Sequence, residues 1–516
     1  MTAPHKEMHI VAMKYDLDRK HNWRLNFHLQ TPIGWLSDPN GLCQFDGTYH
    51  IFHQYSPRWP YNAHGWGHWA SPDLITWEFL GGAILPDMPL DKNGSYSGSA
   101  VIRDGEMWCY YTGNVLEAGD HDYDYSGRHA NEMLVTSADG RTFGEKRLVL
   151  SDAAHPAYCS NHVRDPKVWE QDGRWHMLLG CRTMDDHGAL LLFCSDDGIS
   201  WEMEGSCTGA SGKPFGYMWE CPNVVTLDGR EFLFVCPQGT PKQDFSLQNI
   251  YNSGYFPIDG RVIDLMGADP GLAEAEGPYP CIDESTFVEL DYGFDFYAPQ
   301  IFTDEQGRAI LVGWVGLPDI DTQYDVPTRE WSHTLTMPRE LSLNGAGRIC
   351  QRPVAEMEAL RGDEVPFSAE AARGSTGTIG SSSYDMFSME GAVGMRAGGT
   401  ADVEIRGIQG EGRLMINGDL ELMVHGDTCE LAFLSPAGRF RSVRRLPLAH
   451  LSAGRIESIR AVIDTSLVEF YLNDGEVTLT TRFFPLDIDR LCVTSTFAAE
   501  SCRAWEMGSF TFKNCG

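Results

Sequence analysis

One pattern, repeated five times, limits the folds open to this chain. A turn pair precedes a short apolar or aromatic run: Asp46-Gly47 before Tyr49-His50-Ile51-Phe52, Asp104-Gly105 before Met107-Trp108-Cys109-Tyr110-Tyr111, and Asp172-Gly173 before Trp175-His176-Met177-Leu178-Leu179. Asp228-Gly229 before Phe232-Leu233-Phe234-Val235 and Gln306-Gly307 before Ala309-Ile310-Leu311-Val312 complete the set. Asp-Gly pairs supply the positive φ that two-residue hairpins require, so each unit reads as a pair of antiparallel strands. The units recur at intervals of roughly 55 to 80 residues, the mark of a repeat architecture. A second element, Ser71-Pro72-Asp73-Leu74-Ile75-Thr76-Trp77, returns as Ser195-Asp196-Asp197-Gly198-Ile199-Ser200-Trp201 and more weakly at 137–143. Helical periodicity is nearly absent through residue 345. Five small sheets packed radially make an all-β, five-bladed β-propeller, whose central funnel collects loops from every blade.

The texture changes after Leu341. Residues 355–380 are rich in Ala, Gly, Ser and Glu, with a short helix expected at 353–360. Beyond them, alternating runs such as Ala461-Val462-Ile463 and Val468-Glu469-Phe470-Tyr471-Leu472 flank the turn Asn473-Asp474-Gly475 and predict a C-terminal β-sandwich. The expected division is an N-terminal extension at 1–24, the propeller at 25–345, a linker at 346–380 and the sandwich at 381–516.

Charge removes several function classes. The 516 residues carry 72 acidic against 40 basic side chains, a net charge of −32. Nucleic acid and anionic membrane both need a clustered positive field, and neither is expected as a partner. Lys6, Glu7, Lys14, Asp16, Asp18, Arg19 and Lys20 leave no room for a signal-peptide core near the start, and no apolar run is long enough to span a bilayer. A soluble, cytoplasmic protein is expected. The 14 cysteines never form a Cys-x-x-Cys pair, which speaks for small buried thiols and against a zinc ribbon or disulfide scaffold. His50, His53, His64 and His68 lack a metal-ligand frame, so neither metal nor cofactor is expected.

Three acids stand beside prolines: Asp38-Pro39-Asn40-Gly41, Arg164-Asp165-Pro166 and Glu220-Cys221-Pro222-Asn223. Proline fixes its own φ and restricts the residue before it, so Asp38 is expected on a stiff turn. Asp269-Pro270 shows that the same dipeptide also serves as plain turn punctuation. Three rigidly aimed carboxylates in one funnel could perform glycoside chemistry.

The motifs W-L-S-D-P-N-G (35–41), F-H-Q-Y (52–55), G-W-G-H-W-A-S-P-D-L-I-T-W (65–77), Y-S-G-S-A-V (96–101), R-D-P-K-V (164–168), W-E-C-P-N (219–223), D-Y-G-F-D-F-Y-A-P-Q (291–300), M-P-R-E-L (337–341) and V-E-F-Y-L-N-D-G (468–475) run in one order along the chain. In this the sequence resembles glycoside hydrolase family 32, the invertases or β-fructofuranosidases. The resemblance implies a propeller followed by a sandwich. It makes Asp38 the nucleophile, Glu220 the general acid/base and Asp165 the transition-state stabiliser, with Arg164 beside it. It also places Ser37, Gln54, Trp66, Tyr96, Ser97 and Cys221 at the fructose pocket. Ser37 and Tyr96 depart from the family, which usually carries Asn and Phe there.

The implied reaction is retaining hydrolysis of terminal β-D-fructofuranosyl bonds in sucrose or short fructo-oligosaccharides. The alternatives are a sucrose-6-phosphate hydrolase, a fructosyltransferase and a non-catalytic carbohydrate-binding propeller. Arg58, Lys213 and Lys242 are the sequence candidates for a phosphate contact. Trp77 and Trp201 are expected in the core and Trp66 against the sugar. The sandwich is expected to support the propeller or to form a homodimer contact.

Overall fold

The computed structural model describes residues 23–58, 63–266, 277–318, 331–372, 377–379, 382–384, 393–439 and 441–513. The expected N-terminal extension lies outside these up to residue 22. The five repeats fold as five sheets. Their first strands are Gly34–Phe45, Ser95–Arg103, Cys159–Gln171, Met218–Leu227 and Tyr297–Thr303. Each contacts the next, and the fifth contacts the first, so these strands line a closed ring around the propeller axis. In the first four blades the Asp-Gly pair joins the first strand to the second. Both turn residues have positive φ, as at Asp46 (49°) and Gly47 (72°), the signature of type I′ hairpins.

The second repeated element is a corner stapled by one aspartate. Asp73 Oδ1 accepts from the N–H groups of Ile75 and Thr76, Asp197 Oδ1 from Ile199 and Ser200, and Asp139 Oδ1 from Arg141 and Thr142. The copy at 137–143 is therefore as complete as the other two. Trp77 is fully buried in the core, as expected, and Trp201 packs against the cluster of the third blade.

Two six-stranded sheets form the sandwich, and their inner faces share one apolar core that includes Val403, Leu422, Ile463 and Phe470. The chain crosses between the units more often than the sequence division allows. Ile349–Pro353 pairs with Arg339–Leu343 as the last strand of the fifth blade, past the expected boundary at 345. A 3₁₀ turn follows at Ala355–Leu360, and Arg361–Glu364, inside the expected linker, already pairs with the sandwich strand Ser501–Met507. The C-terminal strand Thr511–Lys513 leaves the sandwich and lies parallel to Thr76–Ile84 at the edge of the first blade. Edge strands offer unpaired N–H and C=O groups, and this one is covered by the chain's own end.

Buried charge joins the two units. His28 Nδ1 lies 2.9 Å from Asp464 Oδ2 and its Nε2 3.0 Å from Glu469 Oε1. The guanidinium of Arg339, also fully buried, donates to Glu469 Oε2 at 2.7 and 2.9 Å and to Thr480 Oγ1 at 2.7 Å. The loop before the fifth blade adds Asp291, which accepts from Thr480 N–H and Oγ1, and Asp295, which accepts from the Arg482 guanidinium at 2.9 and 3.0 Å. Such groups would be costly to bury singly, but here each has an opposite charge and hydrogen bonds.

Candidate active site

Each of the five first strands carries a register irregularity: between Leu36 and Pro39, between Ser95 and Gly98, between Arg164 and Lys167, between Glu220 and Asn223, and between Tyr297 and Gln300. A bulge turns a side chain out of its alternation while leaving the strand in its sheet. Proline lies within or at the end of four of them, at 39, 166, 222 and 299, where the missing N–H coincides with lost ladder pairing. Asp165, Cys221 and Ala298, each just before its proline, hold positive φ of 68°, 48° and 47°. Asp38-Pro39-Asn40-Gly41, expected as a tight turn, is thus a bulge inside a strand.

These bulges aim their side chains into one cavity of about 590 Å³, lined by Asp38, Asp165, Glu220, Ser37, Gln54, Tyr96, Ser97 and Arg164. Eight of the ten site residues expected from the sequence therefore meet there. Ser97 Oγ donates to Asp38 Oδ2 at 2.7 Å. With its amide oriented to satisfy its neighbours, Asn40 donates to Ser97 Oγ and accepts from Gln54 N–H and Nε2. Asp165 Oδ2 accepts from the Cys221 N–H at 2.9 Å. Glu220 is the most heavily held of the three acids. Its Oε1 accepts from Arg164 at 2.5 and 3.2 Å, and its Oε2 from the Tyr297 hydroxyl and Gln238 Nε2, both at 2.6 Å.

Burial lifts the Asp38 carboxyl to about 6, against the Ser97 hydrogen bond, and negative Glu220 nearby adds to the rise. Burial likewise raises Asp165, with Arg164 opposing it. Arg164 was expected beside Asp165; its closest approach there is 4.0 Å, and its hydrogen bonds go to Glu220 and to His162. The guanidinium cannot satisfy both acids at hydrogen-bond distance in this position.

Two expected pocket residues stand elsewhere. Trp66 is fully buried in the cluster of Cys43, Phe52, Ile84 and Tyr111, and its indole N–H donates to the Tyr96 carbonyl at 2.9 Å. A ring enclosed on both faces cannot stack on a sugar, so Trp66 sets the backbone that carries Tyr96. Cys221, 2% exposed, sits beneath the acids with its Sγ 3.9 Å from Asp38 Oδ2 and 3.7 Å from Asp165 Oδ2, and it does not line the cavity.

The aromatic wall is supplied by Trp35 and Trp314, whose ring centres are 6.3 Å apart, with His333 4.6 Å from Trp35 behind them. Trp314 serves as both wall and core, and Trp331 packs in the core against Phe484. Tyr297, Gln238 and Arg128 also reach the cavity and were not singled out in the sequence. Tyr297 lay within a quoted motif, but nothing in its spacing pointed to Glu220. Among the clustered histidines, His50 Nδ1 contacts His68 Nε2 at 2.9 Å in the core, and burial pushes His50 down to about 4.

Residues 28–353 match the family model described as the glycosyl hydrolases family 32 N-terminal domain, and residues 430–506 match that of its C-terminal domain. The chain is 35% identical over 470 residues to a sucrose-6-phosphate hydrolase of Bacillus subtilis (strain 168), covering 90% of this chain and 89% of that protein. It is 34% identical over 490 residues to a raffinose invertase of Escherichia coli, covering 92% of each. Among solved structures, a Bombyx mori GH32 β-fructofuranosidase mutant in complex with sucrose superposes with a TM-score of 0.75 at 25% identity, covering 99% of this chain and all of that one. The expected five-bladed propeller and C-terminal β-sandwich are this family's architecture, and the chain belongs to glycosyl hydrolase family 32.

Proposed function

We propose that this family 32 glycosidase hydrolyses the β-D-fructofuranosyl bond of sucrose 6-phosphate with retention, through a covalent fructosyl-enzyme intermediate. One observation carries the reading: Asp38 and Glu220 enter a single cavity from different blades, with Asp165 between a bulge and the Cys221 N–H. Cleavage of a fructofuranoside passes through an oxocarbenium-like transition state, which needs a bare carboxylate at the anomeric carbon and a proton donor at the leaving oxygen. Asp38 attacks the anomeric carbon, and Ser97 holds its other oxygen. Glu220 protonates the leaving oxygen and then takes a proton from the attacking water. The Tyr297 hydroxyl can donate to the Glu220 carboxylate or accept from its carboxyl, so their contact serves both halves of the reaction. Asp165 binds fructose hydroxyls as positive charge develops on the ring. In a sugar complex the Asp38 and Glu220 carboxyls should stand about 5–5.5 Å apart, the spacing of retaining glycosidases.

Unphosphorylated sucrose and short fructo-oligosaccharides would use the same steps. The B. subtilis relative's name favours the phosphorylated substrate. A sugar phosphate does not cross membranes unaided, so this substrate also supports a cytoplasmic setting. The test is the rate of fructose release by Asp38→Asn and Glu220→Gln. Glu220→Gln should lose about 10²–10⁴-fold in kcat, the usual range for a general acid/base, and Asp38→Asn more. Full activity in Asp38→Asn would remove the nucleophile.

A further inference from the structure

Among the described residues the cavity wall holds two guanidinium groups, Arg164 and Arg128, and of these Arg164 is the one already engaged. Arg164 is engaged by Glu220 and by His162 Nδ1, which lies 2.6 Å from its Nη1. Arg128, at the start of the strand Arg128–Ser137 in the second blade, is half-buried and lines the same cavity. Among the described residues it has no hydrogen-bond or ion-pair partner, and its Nε is buried without an acceptor. The nearest carboxylate to influence it, Asp124, is spent on His162 at 2.6 Å and on Arg182 at 3.1 Å. Burial and positive Arg164 both work against charge on Arg128. A half-buried cation with an orphaned donor is costly, and a ligand that accepts from it restores the missing bond.

The position of Arg128 says which part of the substrate it meets. The floor of the cavity carries Asp38 and Asp165, which repel an anion. The segment leading into Arg128 instead carries Asp124, which contacts His162; His162 contacts Arg164, and Arg164 is bonded to Glu220. Glu220 serves the leaving oxygen, so Arg128 belongs to the side of the leaving sugar. Arg58, Lys213 and Lys242, the candidates from sequence, are exposed and do not line the cavity.

Resting on the function proposed above, we infer that Arg128 is the specificity residue of this site, binding a phosphate ester carried by the leaving sugar. A tetrahedral dianion presents several oxygens to the planar fork of arginine, which can bind two of them at once. A neutral sugar leaves the guanidinium unpaired, and a site built around such a bond discriminates strongly against the analogue that lacks it.

The experiment measures kcat/KM on sucrose 6-phosphate and on sucrose for the wild type, Arg128→Gln and Arg128→Lys, with glucose and glucose 6-phosphate binding followed by calorimetry. The ratio of the two kcat/KM values should fall at least 30-fold in Arg128→Gln and less in Arg128→Lys, which keeps the charge. Glucose 6-phosphate should bind the wild type better than glucose does, and Arg128→Gln should lose that difference. An unchanged ratio, or equal losses on both substrates, overturns the assignment to Arg128. Wild-type turnover of sucrose without preference for the phosphate overturns the inference and leaves the glycosidase reading standing. No turnover of either sugar, with glucose 6-phosphate still bound through Arg128, would instead sink the proposed reaction and keep this site.

Discussion

The Tyr297 hydroxyl meets Glu220 Oε2 at 2.6 Å, and the same short loop that ends in Tyr297 carries Asp291 and Asp295 into the sandwich. One segment therefore holds the acid/base on one side and the second domain on the other. Tyr297→Phe deletes the hydroxyl and keeps the ring in its buried contacts. It should lower kcat/KM by about 10- to 100-fold, on the order of one charge-assisted hydrogen bond of 1.5–3 kcal/mol, and move the pH profile. A melting curve close to the wild type's would separate this effect from unfolding.

The raised Asp38 carboxyl makes a prediction about pH. The nucleophile must be ionised, so kcat/KM should climb as pH rises through about 6, the value to which burial lifts it. The same shift bears on stability. A carboxyl whose folded pKa is above its unfolded value of 3.8 binds protons more tightly when folded, so its contribution to stability declines as pH rises from about 4 to about 6. Asp38→Asn removes that cost. It should melt above the wild type at pH 8, by about 2 kcal/mol once the solvent in the cavity is allowed for, and the gain should vanish near pH 3. Differential scanning calorimetry at the two pH values checks it.

His28 gives a dependence of the same sense at higher pH, but here the group stabilises the fold. Burial disfavours its charge, but Asp464 and Glu469 outweigh burial and hold its pKa above 6.5. Its pairing contributes fully below pH 6.5 and is lost as pH rises through the folded value. Replacing His28 by Ala leaves two buried carboxylates short of a partner and should cost about 3–5 kcal/mol at pH 6, with a smaller penalty at pH 9. Urea unfolding at both pH values measures the difference.

The repeats made the propeller legible because Asp-Gly turns act locally: Asp46-Gly47 and Asp104-Gly105 dictate a hairpin whatever surrounds them. The three acids were legible for a similar reason, since proline marks their bulges. What could not be read is what depends on packing between distant strands. Trp66 in a Gly-rich stretch looks open in sequence, yet Gly65 and Gly67 let neighbouring strands close over it, so its ring is sealed. Tyr297 reaches Glu220 only because the fourth and fifth blades are neighbours in the ring, and Gln238 because it lies across from Met218 on the paired strand of the fourth blade. Arg128 sits in the polar stretch Ser126-Gly127-Arg128-His129, which reads as a solvated loop until the cavity beside it is seen. The domain boundary failed because Ile349–Pro353 completes a blade across a turn, while Thr511–Lys513 returns to the first blade from the far end of the chain.

The stereochemistry of the product tests the account most directly. With methanol present as a competing nucleophile, a fructosyl group held on Asp38 is delivered to methanol from the face it left by. The account predicts methyl β-D-fructofuranoside as the sole methyl glycoside, identified by NMR, in proportion to the methanol added. Methyl α-D-fructofuranoside would contradict it, because that product requires single displacement without a bond to Asp38.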